Sequence, residues 1–279
     1  MFAKQFFFSF STAAALLGAG VLTSAVAGPA PADYSKDKKQ VVQKEYEPKW
    51  YVSLGAGAEF DLGATRFSER SRTGFASPDA GFAQGVANVS AQKYNDVYGA
   101  ANLAIHAEVG YVVAKDGEIF VGFKYSHGFS DTVNIGSGNF GIGTEPIFAD
   151  FGDYNSFGLE AGFRYFFLPK TSRIRPYISF AAGATYVDDI DARFFLTGGQ
   201  PIFGTGFYQG GVVATGALLG GIEFAITRNF SIGAESGLRY EFPLSERDRD
   251  LVRSGVNASL NNAGDRFNVP VNLYGKFRF

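Results

Sequence analysis

The final stretch of the chain, Val269-Pro270-Val271-Asn272-Leu273-Tyr274-Gly275-Lys276-Phe277-Arg278-Phe279, alternates residue by residue: odd positions are apolar or glycine, and Asn272, Lys276 and Arg278 take even ones. A period of two gives a strand one apolar and one polar face. The length suits a strand tilted by roughly 45° across about 30 Å of hydrocarbon. The end of a soluble domain usually frays, so a fully patterned aromatic ending points to a last strand that closes a barrel in a membrane.

The other end agrees. Lys4 supplies a positive n-region, Phe6 to Val21 is mostly apolar, and Ala25-Val26-Ala27 has the small-x-small form of a cleavage site. Residues 1–27 therefore read as a signal peptide, with an uncleaved anchor as the alternative. Cleavage takes the formal charge from −2 to −3, and a chain so near neutrality is not expected to bind nucleic acid. Residues 28–48, rich in Lys, Pro, Asp and Gln, read as a flexible periplasmic lead-in to a barrel over 49–279.

After the signal, no run approaches the roughly 18 apolar residues of a membrane helix. Aromatics make up 16% of the chain and Gly is 36 of 279, well above the usual 7% or so. That enrichment with alternating patterning predicts an all-β, transmembrane barrel. With Cys 0, disulfides, thiolate metal sites and a cysteine-linked lipid anchor are excluded.

Eight alternating segments follow: about 50–62, 97–113, 118–130, 154–167, 176–187, 210–226, 230–243 and the terminal strand. Three connections are short (Lys115-Asp116-Gly117, Leu168 to Arg175, Thr227-Arg228-Asn229). Four are long, at 63–96, 131–153, 188–209 and 244–265. Short periplasmic turns and long outer loops orient an antiparallel barrel with both ends in the periplasm. A hairpin hidden in the first loop would raise the count to ten, but Ala83 to Ser90 alternates too poorly. Trp50, Tyr111, Tyr165, Phe167, Phe224, Phe230, Phe277 and Phe279 form one aromatic belt, and Phe60, Phe129, Phe157, Tyr186, Tyr240 and Phe242 a second.

With its signal peptide, strand count and Gly275-Lys276-Phe277-Arg278-Phe279 ending, the chain resembles, over about 50–279, the small eight-stranded outer-membrane barrels of the OmpA, OmpX and Opa-like group. The resemblance implies an outer-membrane location, lipid as surroundings, and recognition of Gly275, Phe277 and Phe279 by the barrel-assembly machinery. It says little of activity, because the architecture hosts tethers, adhesins and lipid enzymes alike. As the sequence ends with the barrel, a peptidoglycan tether is expected only from the short N-terminal segment.

The inward face carries Glu59, Asp61, His106, Glu108, Lys124, Glu160, Arg164, Glu223, Glu235, Arg239, Glu241, Lys276 and Arg278. An eight-stranded barrel is just wide enough for side chains to fill, so charges there must be paired or hydrated. A turn centred near Asp116 sets Glu108 opposite Lys124, with Glu160 beyond it, which predicts a transverse row Glu108–Lys124–Glu160. The turn at Arg228 sets Glu223 near Glu235, with Lys276 and Arg239 the nearest cations. Such a network is either a plug that fixes register or a switchable gate over a narrow water path.

No enzyme is expected: Ser126 and His127 are neighbours on a strand and face opposite sides, and no motif specifies a reaction. Asp188-Asp189-Ile190-Asp191 lacks the glycine and distal Glu of a calcium loop, so no metal or other cofactor is expected. The outer loops carry Arg66, Arg70 and Arg72, with Phe75, Phe82, Ile147, Phe148, Phe151, Phe194, Phe195, Ile202, Phe203, Phe207 and Tyr208. Either these rings pack on one another, or they form a contact surface for host or cell-surface ligands. The sequence thus predicts a structural or surface-interaction barrel with at most weak porin-like permeability. A narrow gated pore is the alternative, and a lipid-modifying enzyme a more distant one.

Overall fold

The computed structural model describes residues 49–63, 65–75, 85–141, 143–253 and 255–279. The signal peptide, the lead-in and Phe82 lie outside them. Eight antiparallel strands close on themselves: β1 (Trp50–Asp61), β2 (Asn102–Ala114), β3 (Gly117–Gly128), β4 (Tyr154–Phe166), β5 (Ile174–Val187), β6 (Gly211–Ala225), β7 (Phe230–Glu241) and β8 (Arg266–Arg278). Each pairs with its neighbours in sequence, and β1 pairs with β8 from Tyr51–Arg278 to Asp61–Asn268. Closure leaves no strand edge, the condition for placing a sheet in lipid.

Parity sorts the side chains. Leu54, Leu103, Val121, Leu159, Phe180, Val212, Leu218 and Leu273 point outward and are exposed, while Ser53, Glu59, Lys124, Glu160, Arg239 and Lys276 point inward and are buried. Soluble proteins seldom expose apolar patches beyond a few hundred Å². A continuous apolar belt with a charged interior is a surface made for lipid. The aromatic belts edge it, with Trp50 packed edge-on against Tyr111 at 4.9 Å and Tyr240 against Phe242 at 5.0 Å.

Several boundaries differ from expectation. β2 begins at Asn102 rather than near 97, because Tyr94–Tyr98 forms a short helix followed by Gly99 at φ 74. β8 starts at Arg266, ahead of Pro270. Pro270 lies opposite Glu59 on the β1 side, and the β7 ladder skips from Ser236–Val271 to Arg239–Asn268. Proline has no N–H to donate, and the interrupted rungs hide the strand's true start from pattern reading.

The four long connections are not unstructured. Together they build a seven-stranded sheet in the order Ser245–Glu246, Pro201–Gln209, Ile190–Leu196, Thr144–Phe151, Val133–Asn139, Gly85–Val89 and Ser71–Phe75. The hairpin of Ser71–Phe75 with Gly85–Val89 thus lies in the head at the outer end, and the barrel stays at eight strands. A smaller pair, Arg66–Ser68 with Gln92–Lys93, and the helix Asp248–Arg253 complete this head.

The head has its own core. Phe67, Phe75, Tyr94, Tyr98, Ile147, Phe151, Phe194, Ile202, Phe207 and Tyr208 are buried in one cluster. Phe67 sits at its centre, 5.0 Å from Phe151 and 5.2 Å from both Tyr94 and Tyr208. The hydroxyl of Tyr208 donates to the Phe67 carbonyl, and that of Tyr98 to the Gly152 carbonyl at 3.1 Å. Burial pushes both phenols well above their ordinary pKa, so they stay protonated donors.

Candidate functional site

Two tiers of ion pairs fill the lumen. In the outer tier Lys124 of β3 reaches across the barrel: its Nζ lies 2.8 Å from Glu59 of β1 and 3.1 Å from Glu241 of β7. Ser126 donates to the second oxygen of Glu59 at 2.8 Å. Arg266 at the head of β8 clamps Asp61 at 2.7 Å and Glu241 at 2.9 Å, with its guanidinium 4.5 Å from the Tyr154 ring centre. Arg239 pairs with Glu160.

The periplasmic tier is built on Arg164 and Lys276. Arg164 holds Glu108 through both terminal nitrogens, at 2.9 and 3.1 Å, and Tyr51 donates to the same carboxylate at 2.6 Å. The guanidinium is 4.8 Å from the Tyr177 ring centre and 5.1 Å from that of Phe120. Planar stacking and a two-pronged bond are what Arg offers and Lys does not. Lys276 lies 2.9 Å from both Glu118 and Glu223, and Arg278 bridges the same two acids. Glu235 accepts from Tyr177 at 2.8 Å and from Asn272 at 3.2 Å.

Between the tiers lies a cavity of about 40 Å³, lined among others by His106, Glu108, Lys124, Arg164, Glu235 and Arg239. That is room for a few water molecules and for no larger solute.

All eight network residues named from the sequence, Glu108, Lys124, Glu160, Arg164, Glu223, Glu235, Arg239 and Lys276, sit in the lumen, but several partners differ. The transverse row Glu108–Lys124–Glu160 does not form. Glu108 goes to Arg164, Glu160 to Arg239, and Lys124 to Glu59 and Glu241. The cause is register: a two-residue turn at Lys115-Asp116, together with a bulge between Val112 and Ala114, places His106, not Glu108, opposite Lys124. Across the β6–β7 turn Glu223 lies opposite Gly233 and Glu235 opposite Gly221. Glu223 bonds Lys276 and Arg278, and Arg239 goes elsewhere.

Some lumen residues were not foreseen. Arg175 lies in a segment that reads as a turn, Arg266 between the fourth loop and the terminal alternating stretch, and Glu118 at the first residue of the third segment without being counted among the inward charges. Tyr51, Tyr177 and Tyr274 share the inward parity of their strands, and each faces a cross-strand glycine, Gly110, Gly221 and Gly233 respectively. A Cβ at any of these glycines would overlap the ring. Inward aromatics opposite glycines are therefore the signal that was there to be found, and they account for part of the high glycine content.

Gly275, Phe277 and Phe279 stand in or beside β8, with both rings about half exposed and stacked at 6.5 Å. Ser126 points into the lumen, and His127 faces out, its Nδ1 2.7 Å from Asn155 Oδ1. In the acidic loop Ile190 is buried, while Asp189 accepts from the Gly210 N–H and pairs with Arg247. Among the described residues no cluster of three or more His, Asp or Glu side chains could hold a metal ion.

A closed eight-stranded antiparallel barrel with a lipid-facing apolar belt, aromatic girdles and a filled polar lumen is a transmembrane β-barrel of the small outer-membrane type. No family model and no curated protein matches the chain. Among solved structures it is similar to Neisserial surface protein A, at 14% identity over 82% of this chain and 97% of that one with a TM-score of 0.41. It is similar too to Ail, the attachment invasion locus protein of Yersinia pestis, at 14% identity over 82% and 99% with a TM-score of 0.37. The N-terminal β-barrel domain of Pseudomonas aeruginosa OprF matches at 13% identity over 83% and 100%, with a TM-score of 0.35. The likenesses are distant, and the class assignment rests on the barrel's own geometry.

Proposed function

We propose that this barrel is a non-enzymatic anchor for its outer head, with a structural or surface-interaction role and at most weak permeability. The observation that carries this reading is the head: four connections contribute to one sheet with a buried aromatic core, above a lumen filled at two levels. A channel needs a water path, whereas a binding surface needs rigid loops on a rigid scaffold. Phe148 and Phe195 stack at 5.9 Å on the half-exposed side of that sheet, with Arg193 opposite Asp150 two residues along on the same face. Rings and charges so placed suit contact with a cell-surface ligand.

A narrow gated pore remains the second reading, favoured by the cavity between the tiers. One experiment separates the two. The protein is inserted in planar bilayers, and in parallel displayed on beads with its head intact or replaced by short turns. A surface-interaction role gives no stable conductance and head-dependent bead attachment to cells. Steady ion current with no head-dependent attachment would overturn it.

A further inference from the structure

At the opposite end of the barrel a notch of about 490 Å³ opens between the residue preceding β1, the β2–β3 turn and the β4–β5 turn. It is lined by Lys49, Lys115 and Lys170 together with Val112, Val113 and Pro169. Lysines from three separate segments line it, and no acid does. Asp116, in the same turn as Lys115, has a carboxylate oxygen buried and does not line the notch. Backbone pairing fixes the frame: the Val112 N–H donates to the Lys49 carbonyl at 2.8 Å, and the Phe166 N–H to the Asp116 carbonyl at 2.8 Å.

We propose that this notch binds the phosphate of an anionic glycerophospholipid in the periplasmic leaflet, with its acyl chains running up the apolar wall beside it. Two features favour a lipid over a free anion. Val113, in the wall of the notch, is 49% exposed on the lipid-facing side, continuous with Tyr111 and Trp50 of the girdle. The notch also sits at the level of that girdle, where headgroups lie. A cluster of cations at that depth attracts anionic headgroups, each Lys contributing a factor of roughly five in affinity.

Trp50, the one tryptophan of the chain, adjoins Lys49 and reports on the site. The protein is reconstituted in phosphatidylcholine vesicles doped with acyl-brominated phosphatidylglycerol or, at equal mole fraction, acyl-brominated phosphatidylcholine, and quenching of Trp50 is compared. The brominated anionic lipid should quench several-fold more effectively. Lys49→Gln and Lys115→Gln should each lower that preference, while Arg228→Gln, on the β6–β7 turn, should leave it in place. Lys115 and Arg228 lie in turns and Lys49 precedes β1, all outside the strands, and heat-shifted gel mobility verifies that the barrels are folded. Equal quenching by both lipids in the unaltered protein overturns the proposal. So does an equal drop with Arg228→Gln, which would indicate diffuse surface potential. Inorganic phosphate at constant ionic strength should not level the preference; if it does, the notch holds free phosphate and the lipid assignment fails.

Discussion

Lys124 and Glu59, 65 residues apart in sequence, meet across the lumen at 2.8 Å, and the same ammonium holds Glu241 at 3.1 Å. All three side chains are almost wholly buried. Arg266 also holds Glu241, but Lys124 is the cation that lies closest to Glu59, so the pair is central to the outer tier. Replacing Lys124 with Met leaves two carboxylates with less compensation, and breaking a buried pair from one side costs about 3–5 kcal/mol.

The expected result is unfolding of Lys124→Met at clearly lower urea than the unaltered barrel, followed by Trp50 emission. Adding Glu59→Gln should recover part of the loss, because it removes one stranded charge while keeping an acceptor for Ser126. Single-channel recording of the same variant separates plug from gate: a plug loses stability with no new current, and a gate opens. Unchanged stability together with unchanged current would sink the network in either form.

Tyr51 and Gly110 form a second dependent pair. The ring lies against the glycine across the β1–β2 ladder, and its hydroxyl reaches Glu108. Gly110→Ala forces a methyl group into the ring, an overpacking cost of about 1–3 kcal/mol. Combined with Tyr51→Ala the methyl has room, so the double variant should be less destabilised than the sum of the singles. Strict additivity in urea titrations would show that ring and glycine are independent.

Trp50 and Phe279 close the ladder at the periplasmic rim: the Phe279 N–H donates to the Trp50 carbonyl at 2.9 Å, and the Trp50 N–H donates back at 3.3 Å. Deleting Phe279 removes both bonds and an interfacial ring, while Phe279→Ala removes the ring alone. Refolding into lipid vesicles, read by heat-shifted mobility, should fall more for the deletion than for any single substitution in the head. The resemblance to small outer-membrane barrels adds a proposal about cells: if the ring is read by assembly machinery, Phe279→Ala should impair insertion in vivo while refolding well in vitro. Normal insertion of both variants in cells would refute it.

How far the sequence could lead differs between barrel and head. Strand number, the lipid-facing set and most of the inward charges followed from period-two alternation, because lipid and lumen impose opposite polarity on successive residues. Partners did not follow, since the two-residue turn and one bulged residue near Val113 together shift every rung of β2 against β3. Arg266 was missed for a related reason, hidden behind the interruption at Pro270. The head was illegible because its short strands pair with segments from other loops. Nothing local tells Phe67 that it will meet Phe151 and Tyr208.

That buried ring allows the division of labour between barrel and head to be tested directly. Phe67→Ala removes a ring touched by Tyr94, Tyr98, Phe151, Phe207 and Tyr208, a core truncation worth about 3–5 kcal/mol. The barrel ladders draw on other interactions: closed backbone pairing, lipid contact and the two ion-pair tiers. Hydrogen exchange should therefore rise across the strands Thr144–Phe151, Ile190–Leu196 and Pro201–Gln209, and added protease should cut the outer connections, while amides in β1 to β8 keep their protection. Tyr154, Val187 and Val213 belong both to barrel strands and to the head core, so the outermost rungs of β4, β5 and β6 should loosen slightly. Were head and barrel to lose protection together, the head would be part of one cooperative unit with the pore wall. The proposal of a separable binding platform on a closed anchor would then fall.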